Sequence, residues 1–465
     1  MSFLVYDLTF LAIFVIALVL LFIIKRKNFK WEGILLLYRT KIGLDFIDKT
    51  SKKYRGLIGK SRYLVIIVGY LLMISMLYLL FQLLYVFLKR PDIVREIKIP
   101  PLTPLIPYLP SIFKLDFLPP FYFTYWIIAI ACIALFHEFA HGIFAKYAGV
   151  KVKSTGFGFL GPFLAAFVVP DEKQMQKKSK LDQLAILGAG TFANSVITVL
   201  TFILLVLFFL VAFKASGFIF NSYTYSYVNA SGITSINNMS ANSFIPGNNT
   251  ILNITVDNRT FVVNASNISA YINNGLIIRA YQDSPALRLG ITGAIVKIND
   301  YKIESLSDMS NAMKNFKPGD NITLKVFNGS SNVDYNITLA RSYENSSLPL
   351  IGVGFLKSQR AGLSGKFYSL ISSFKKPEVY YTPRFDGDFV VFIYNLIWWL
   401  VIINFSVALV NMLPLALFDG GRFFYLTVFA IIKREKVAKY AFTFATYLIL
   451  LIFVLLMVFW GLAFM

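Results

Sequence analysis

The sequence predicts a polytopic α-helical membrane protein of about six transmembrane helices, carrying an extracytoplasmic, mainly-β insert. Three observations carry that expectation. Hydrophobic residues make up 57% of the 465 and charged residues only 15%, with mean hydropathy +0.65, more apolar surface than a water-soluble domain can bury. The apolar residues fall in runs long enough to cross a hydrocarbon core of about 30 Å. One long segment, 214–385, breaks the pattern and is polar and rich in Asn, Ser and Thr.

Charge sets the expected topology. Lys and Arg number 45 against 24 Asp and Glu, and the resulting net charge of +21 raises the question of a nucleic-acid partner. The basic residues sit instead in short loops beside apolar runs, as the positive-inside rule requires, so the excess reads as topology and no nucleic acid is expected. The single cysteine, Cys132, excludes an internal disulfide framework.

Taken in order, residues 1–120 contain two spans and their loops. Phe3 to Ile24 is apolar and is followed by Lys25-Arg26-Lys27, so it reads as a retained anchor whose far end is cytoplasmic. A basic loop with Lys52, Lys53, Arg55 and Lys60 leads to a second span, Tyr63 to Leu88. Residues 89–120 are expected outside, where prolines from Pro100 to Pro120 exclude a long helix.

Residues 121–213 hold the chemistry. The third span, Phe121 to Ile143, runs without a charge into His137-Glu138-Phe139-Ala140-His141, and these are the only two histidines of the chain. Residues i and i+4 share one helix face. Both imidazoles can therefore bind one Zn²⁺ at about 2.0–2.1 Å, with Glu138 placed as general base on water. Ionisable groups inside a membrane cost about 2.5 kcal/mol or more each, which disfavours a chance coincidence of polar residues. A charged cytoplasmic stretch follows, interrupted by 156–170, which is apolar, broken by Gly161 and Pro162, and too short to span; a re-entrant hairpin is expected. The fourth span, Leu184 to Phe213, opens with Gly188, Gly190 and Asn194. Its small residues allow close helix packing, and its amide needs a partner in lipid.

The insert 214–385 carries Asn-x-Ser/Thr tripeptides at Asn229, Asn238, Asn248, Asn253, Asn258, Asn264, Asn267, Asn321, Asn328, Asn336 and Asn345. Such acceptors are usable only on a translocated face. This agrees with the side that the basic loops assign. Residues 386–465 return to lipid through Phe389 to Leu413, then Asn411, Pro414 and Asp419, the lone acid between Asp388 and Glu435. Pro414 breaks the helix, which demands a protein-lined cavity. A sixth span, Tyr440 to Phe464, leaves both termini extracytoplasmic.

Two patterns resemble known families. Ser284-Pro285-Ala286, Gly290 and Asn299-Asp300, set between alternating strands, resemble the PDZ domains attached to bacterial and archaeal proteases, over about 275–357. His-Glu-x-x-His in a membrane helix, that insert after the next span, and Asn411-x-x-Pro414-x-x-x-x-Asp419-Gly together resemble the site-2 protease family of intramembrane zinc metalloproteases, over about 121–464.

The resemblance implies an intramembrane zinc endopeptidase. His137, His141 and Asp419 would ligate one Zn²⁺ and Glu138 would be the base. Asn194, Asn411, Pro414, Gly161 and Pro162 would be supporting or substrate-contacting residues. Its substrates would be transmembrane proteins, already cut once, that unwind to pair with the strand around 156–170, and the PDZ-like domain would hold a peptide or C-terminus or exclude large ectodomains. Two alternatives stay open at this point: another membrane-anchored zinc peptidase with a glutamate ligand, and a non-enzymatic metal-binding or adhesion protein.

Overall fold

A computed structural model of the chain describes residues 3–32, 35–90, 92, 94–95, 100–101, 105–113, 118–160, 163–240, 251–264, 272, 274–355 and 373–463. Two compact units emerge, residues 1–207 with 391–465, and residues 208–390.

The first unit is built from the apolar runs. Among the described residues six helices are long and apolar enough to cross a membrane: α1 Phe3–Ile24, α3 Arg55–Lys89, α4 Phe123–Tyr147, α5 Lys180–Ala212, α6 Gly387–Val410 and α8 Glu435–Leu462. Among the shorter helices between them are α2 Leu44–Lys53 and α7 Asp419–Ile432. The second span begins eight residues before the expected Tyr63 because Arg55, Lys60 and Arg62 are good helix formers that extend the helix past its apolar part. Ion pairs and ring contacts hold this polar end: Arg62 bonds Asp182 of α5 at 2.6 Å, and Arg55 and Arg62 both lie over the Tyr147 ring.

Helices α3, α4, α5 and α7 share one core, in which Val65, Ala145, Ala189, Met412 and Phe423 are all fully buried. The outward faces remain apolar, with Ile13, Ile16, Leu71, Ile74, Leu207 and Val454 exposed, as expected where lipid is the solvent.

α1 is more than an anchor. Its one acid, Asp7, is 1% exposed and accepts four hydrogen bonds: from Tyr108 Oη (2.6 Å), Phe123 N (2.8 Å), Thr124 N (2.9 Å) and Thr124 Oγ1 (2.5 Å). The first amides of a helix have no partner within it. α4 follows Pro119-Pro120 and finds no cap in its own sequence, so a carboxylate from 116 residues earlier supplies it and complements the helix dipole. Burial and the neighbouring Asp7 carboxylate push the Tyr108 hydroxyl well above the ordinary tyrosine range, so it stays a donor.

Asp7→Ala should therefore lower the unfolding free energy of the detergent-solubilised protein by about 2–3 kcal/mol, the cost of stranding buried amides. Thr9→Val, which removes a bond to its own helix at Val5 O, should change thermal unfolding little. Equal shifts for the two variants would contradict the capping role.

Strands β1 Phe29–Glu32, β2 Leu35–Thr40, β3 Val152–Leu160 and β4 Phe163–Pro170 form one antiparallel sheet in that order. The expected hairpin within 156–170 is thus extended by a second hairpin from the basic loop after α1, with Leu36 opposite Phe159 and Thr40 opposite Thr155. β1 and β4 are its edges.

Among the described residues the second unit holds two larger antiparallel sheets beside two two-stranded pairs. One runs in the order Asn332–Thr338, Asn321–Phe327, Gly293–Ile298, Phe213–Phe220, Val379–Pro383, with Tyr301–Lys302 beside Gly293–Ile298, and buries Phe218, Ile295, Ile298 and Leu324. The other runs Tyr225–Asn229, Ile277–Gln282, Arg259–Asn264, Ile251–Val256, Ile233–Ile236, Met239–Ser240 around Ile236, Leu252 and Ile254. The stretch 275–357 does not stand by itself. Ile277–Gln282 belongs to the second sheet, and the first is completed by Phe213–Phe220 and Val379–Pro383, strands that flank the stretch on both sides. Residues 216–274, which carried little readable pattern, supply most of the second sheet.

Candidate metal centre

The motif helix is not a regular α-helix. Between Phe123–Ile133 and Phe139–Tyr147 it opens into a π turn, Ala134–Glu138, which ends on the first histidine and the glutamate. Such turns concentrate at functional sites because they re-aim side chains without ending the helix. Despite the wider turn, His137 and His141 still converge, their Nε2 atoms 3.1 Å apart.

Asp419 completes the cluster, with Oδ2 at 3.4 Å from His137 Nε2 and 3.2 Å from His141 Nε2. These three edges match one face of a tetrahedron whose ligands stand 2.0–2.1 Å from its centre, for which the edge is about 3.3 Å. The hydrogen bonding on the far side of each ring agrees. His141 Nδ1 is 2.7 Å from the carbonyl of Ile186, an acceptor only, so Nδ1 carries the hydrogen and Nε2 of the neutral ring presents its lone pair to the cluster.

His137 Nδ1 lies 3.1 Å from the Asn194 amide nitrogen, while Asn194 Oδ1 is buried without a partner. Turning that amide by 180° resolves both, since Oδ1 then accepts from Nδ1–H. Two ring nitrogens and a carboxylate oxygen, all facing one point, could hold a metal ion. Asn194 is fully buried beside His137.

Gly190 of α5 makes the approach possible. A Cβ there would stand 2.3 Å from His141 Nε2 and 2.6 Å from His137 Nε2, against the atoms that face the centre of the cluster. Asp419 reaches the site because the chain after α6 leaves helical geometry from Asn411 to Phe418 and restarts at Asp419. Gly420 N donates to Asn411 O at 2.8 Å, and a Cβ on Gly420 would lie 2.3 Å from the Met412 carbonyl carbon, so the return is too tight for a side chain. Pro414 is buried in this turn. Asn411 acts through its backbone, accepting from Gly420 and donating to Val407 O.

Glu138 stands beside the ligands. Its Oε2 accepts from Val168 N of β4 at 2.9 Å, and with Thr40, Ala134, Thr155, Phe167 and Val168 it lines a cavity of about 370 Å³ between the sheet and α4. The structure thus brings His137, Glu138, His141, Asn194 and Asp419 together. Gly161 and Pro162 lie outside the described residues. The sequence reading did not single out Asp7, the metal-side role of Gly190, or Val168. Asp7 had a visible signal, a carboxylate in an otherwise apolar run; the other two act through backbone, which sequence pattern does not report.

Comparison with known proteins follows the same lines. Residues 125–456 match peptidase family M50. Over 170 residues the chain is 33% identical to an uncharacterized protein of Methanocaldococcus jannaschii, an alignment covering 36% of this chain and 42% of that one. The chain thus spans less than half the length of that relative.

Proposed function

The chain belongs to peptidase family M50, a family of membrane metallopeptidases, and from that premise we propose that it hydrolyses peptide bonds of membrane-spanning proteins within the bilayer, using one zinc ion. His137, His141 and Asp419 hold the ion in this reading and Glu138 is the general base. The observation that carries it is the meeting of three candidate ligand atoms, 3.1–3.4 Å apart, in a unit with six apolar spans among the described residues.

Held by His137, His141 and Asp419, a zinc ion would supply Lewis-acid chemistry, activating water and polarising the carbonyl under attack. Glu138 takes the proton that the water loses and returns it to the leaving amide nitrogen. His141 and His137 keep the required tautomers through Ile186 O and Asn194, so no rearrangement of the rings precedes reaction.

A transmembrane substrate hides its carbonyl carbons in helical turns and must unwind locally. β4 offers the extended stretch a partner. Val168 N points away from β3 toward Glu138, and alternation along the strand turns the amides of Leu164 and Ala166 the same way. Strand addition at this edge lays the substrate backbone beside the base.

Ala166→Pro removes one edge donor at a position where an edge strand tolerates proline. It is expected to lower kcat/KM about tenfold, one hydrogen bond's worth, with zinc content unchanged. An unaltered kcat/KM would remove the strand-addition step. In the same reading the insert restricts which ectodomains are processed, or holds the C-terminus left by an earlier cut.

Cleavage of a purified single-span protein in detergent tests the function. Product masses should place the cut inside the apolar segment. Cuts confined to the polar flanks would point instead to a membrane-anchored peptidase of soluble targets.

A further inference from the structure

Five of the insert's Asn-x-Ser/Thr tripeptides adopt two opposite arrangements. Asn321-Ile322-Thr323 and Asn336-Ile337-Thr338 are identical tripeptides lying directly across from one another, with Asn321 opposite Thr338 and Thr323 opposite Asn336. Their side chains bond reciprocally: Thr338 Oγ1 donates to Asn321 Oδ1 at 2.6 Å, and Thr323 Oγ1 donates to Asn336 Oδ1 at 2.9 Å. In a strand, residues i and i+2 share a face but stand about 6.6 Å apart, so each asparagine is out of reach of its own threonine and takes its neighbour's.

Asn229, Asn328 and Asn345 do the reverse. Asn229 Oδ1 accepts from its own Ser231, both N (3.0 Å) and Oγ (2.8 Å). Asn328 Oδ1 accepts from Ser330 N at 3.0 Å, in the turn joining two strands, and Asn345 Oδ1 from Ser347 N at 3.0 Å. These are turns closed by the asparagine side chain itself. They engage Oδ1 and draw the serine two positions on back to the asparagine's own amide, through its N in all three and also through its hydroxyl in Asn229.

All five asparagines are exposed, so access does not separate the two groups; geometry does. We propose that Asn229, Asn328 and Asn345 are acceptors of N-linked oligosaccharide in the folded insert and that Asn321 and Asn336 are not. The donor is an oligosaccharide carried on a polyprenyl phosphate or diphosphate. Asparagine Nδ2 bonds to the anomeric carbon, the bond from that carbon to the lipid phosphate oxygen breaks, the phosphate leaves with the electron pair, and the amide gives up one proton. A further tripeptide, Asn404-Phe405-Ser406, sits in α6 with Asn404 fully buried and its Nδ2 donating to Leu400 O, which removes it from the acceptors.

The proposal rests on the reading that the insert is extracytoplasmic, and the test separates the two. The full chain is produced in cells whose oligosaccharyltransferase acts on Asn-x-Ser/Thr, and glycan occupancy is measured peptide by peptide by mass spectrometry. In parallel, Asp300→Cys, at a fully exposed loop position, is treated in intact cells with a membrane-impermeant maleimide. The expected result is labelling at 300, with occupancy at Asn229, Asn328 and Asn345 at least tenfold above that at Asn321 and Asn336. Labelling with equal occupancy in both groups, or with all three turn asparagines bare, overturns the selection while the sidedness stands. Absence of labelling overturns the sidedness, and the proposal with it.

Discussion

Glu138→Gln is expected to lower the cleavage rate by about 10³-fold while leaving one zinc per chain, because the base moves a proton and is not a ligand. The substitution is a narrow one. Glutamine keeps the length of the side chain and an oxygen that still accepts from Val168 N, so β4 and the π turn retain their contact. What disappears is the ability to take a proton. Metal content and thermal unfolding should therefore match the parent protein, and only turnover should fall. A variant that still cleaves at more than about a tenth of the parent rate would reassign the base.

Gly190→Ala is expected to have an effect as large by a different route. A methyl group 2.3 Å from His141 Nε2 and 2.6 Å from His137 Nε2 leaves no room for an ion between them, and the α5 backbone is held by a packed core that cannot retreat by an ångström. Zinc content should fall at least tenfold and activity with it. Gly188→Ala, two residues away, meets nothing nearer than Val65 Cγ1 at 3.2 Å and should keep its metal, which separates a local clash from general damage to the helix. Full zinc content in Gly190→Ala would mean that α5 stands farther from the ligands than the structure has it.

Much of this site was readable in the amino-acid sequence, for definite reasons. The spacing of His137, Glu138 and His141 encodes a helix face directly, and its apolar surroundings make the cost of three ionisable groups visible. Asp419 announced itself as a lone acid beside a helix-breaking proline. Asn194 was recognisable as an amide in need of a partner, though which partner, the His137 ring, is a matter of tertiary structure.

What escaped was chiefly non-local. Asp7 caps a helix that begins 116 residues later, and nothing near Phe123 signals that its cap comes from another helix. The hairpin Phe29–Thr40 lies in a basic loop and is stabilised as strand by pairing with Val152–Leu160, not by its own pattern. In the same way Phe213–Phe220 and Val379–Pro383 fall at the two ends of the insert, and only the pairing of Phe213–Phe220 with both Gly293–Ile298 and Val379–Pro383 makes them part of a sheet.

The central claim is a single zinc site shared by α4 and the start of α7 on which proteolysis depends. It is tested most directly by stripping the purified protein with a chelator, returning zinc in measured amounts, and following cleavage of a single-span substrate alongside bound metal. Cleavage should be absent from the stripped protein, rise in proportion to zinc, and saturate at one ion per chain, while Asp419→Ala should neither hold the ion nor recover activity. Undiminished cleavage by metal-free protein, or an Asp419→Ala variant with one bound zinc and the parent's rate, would contradict it.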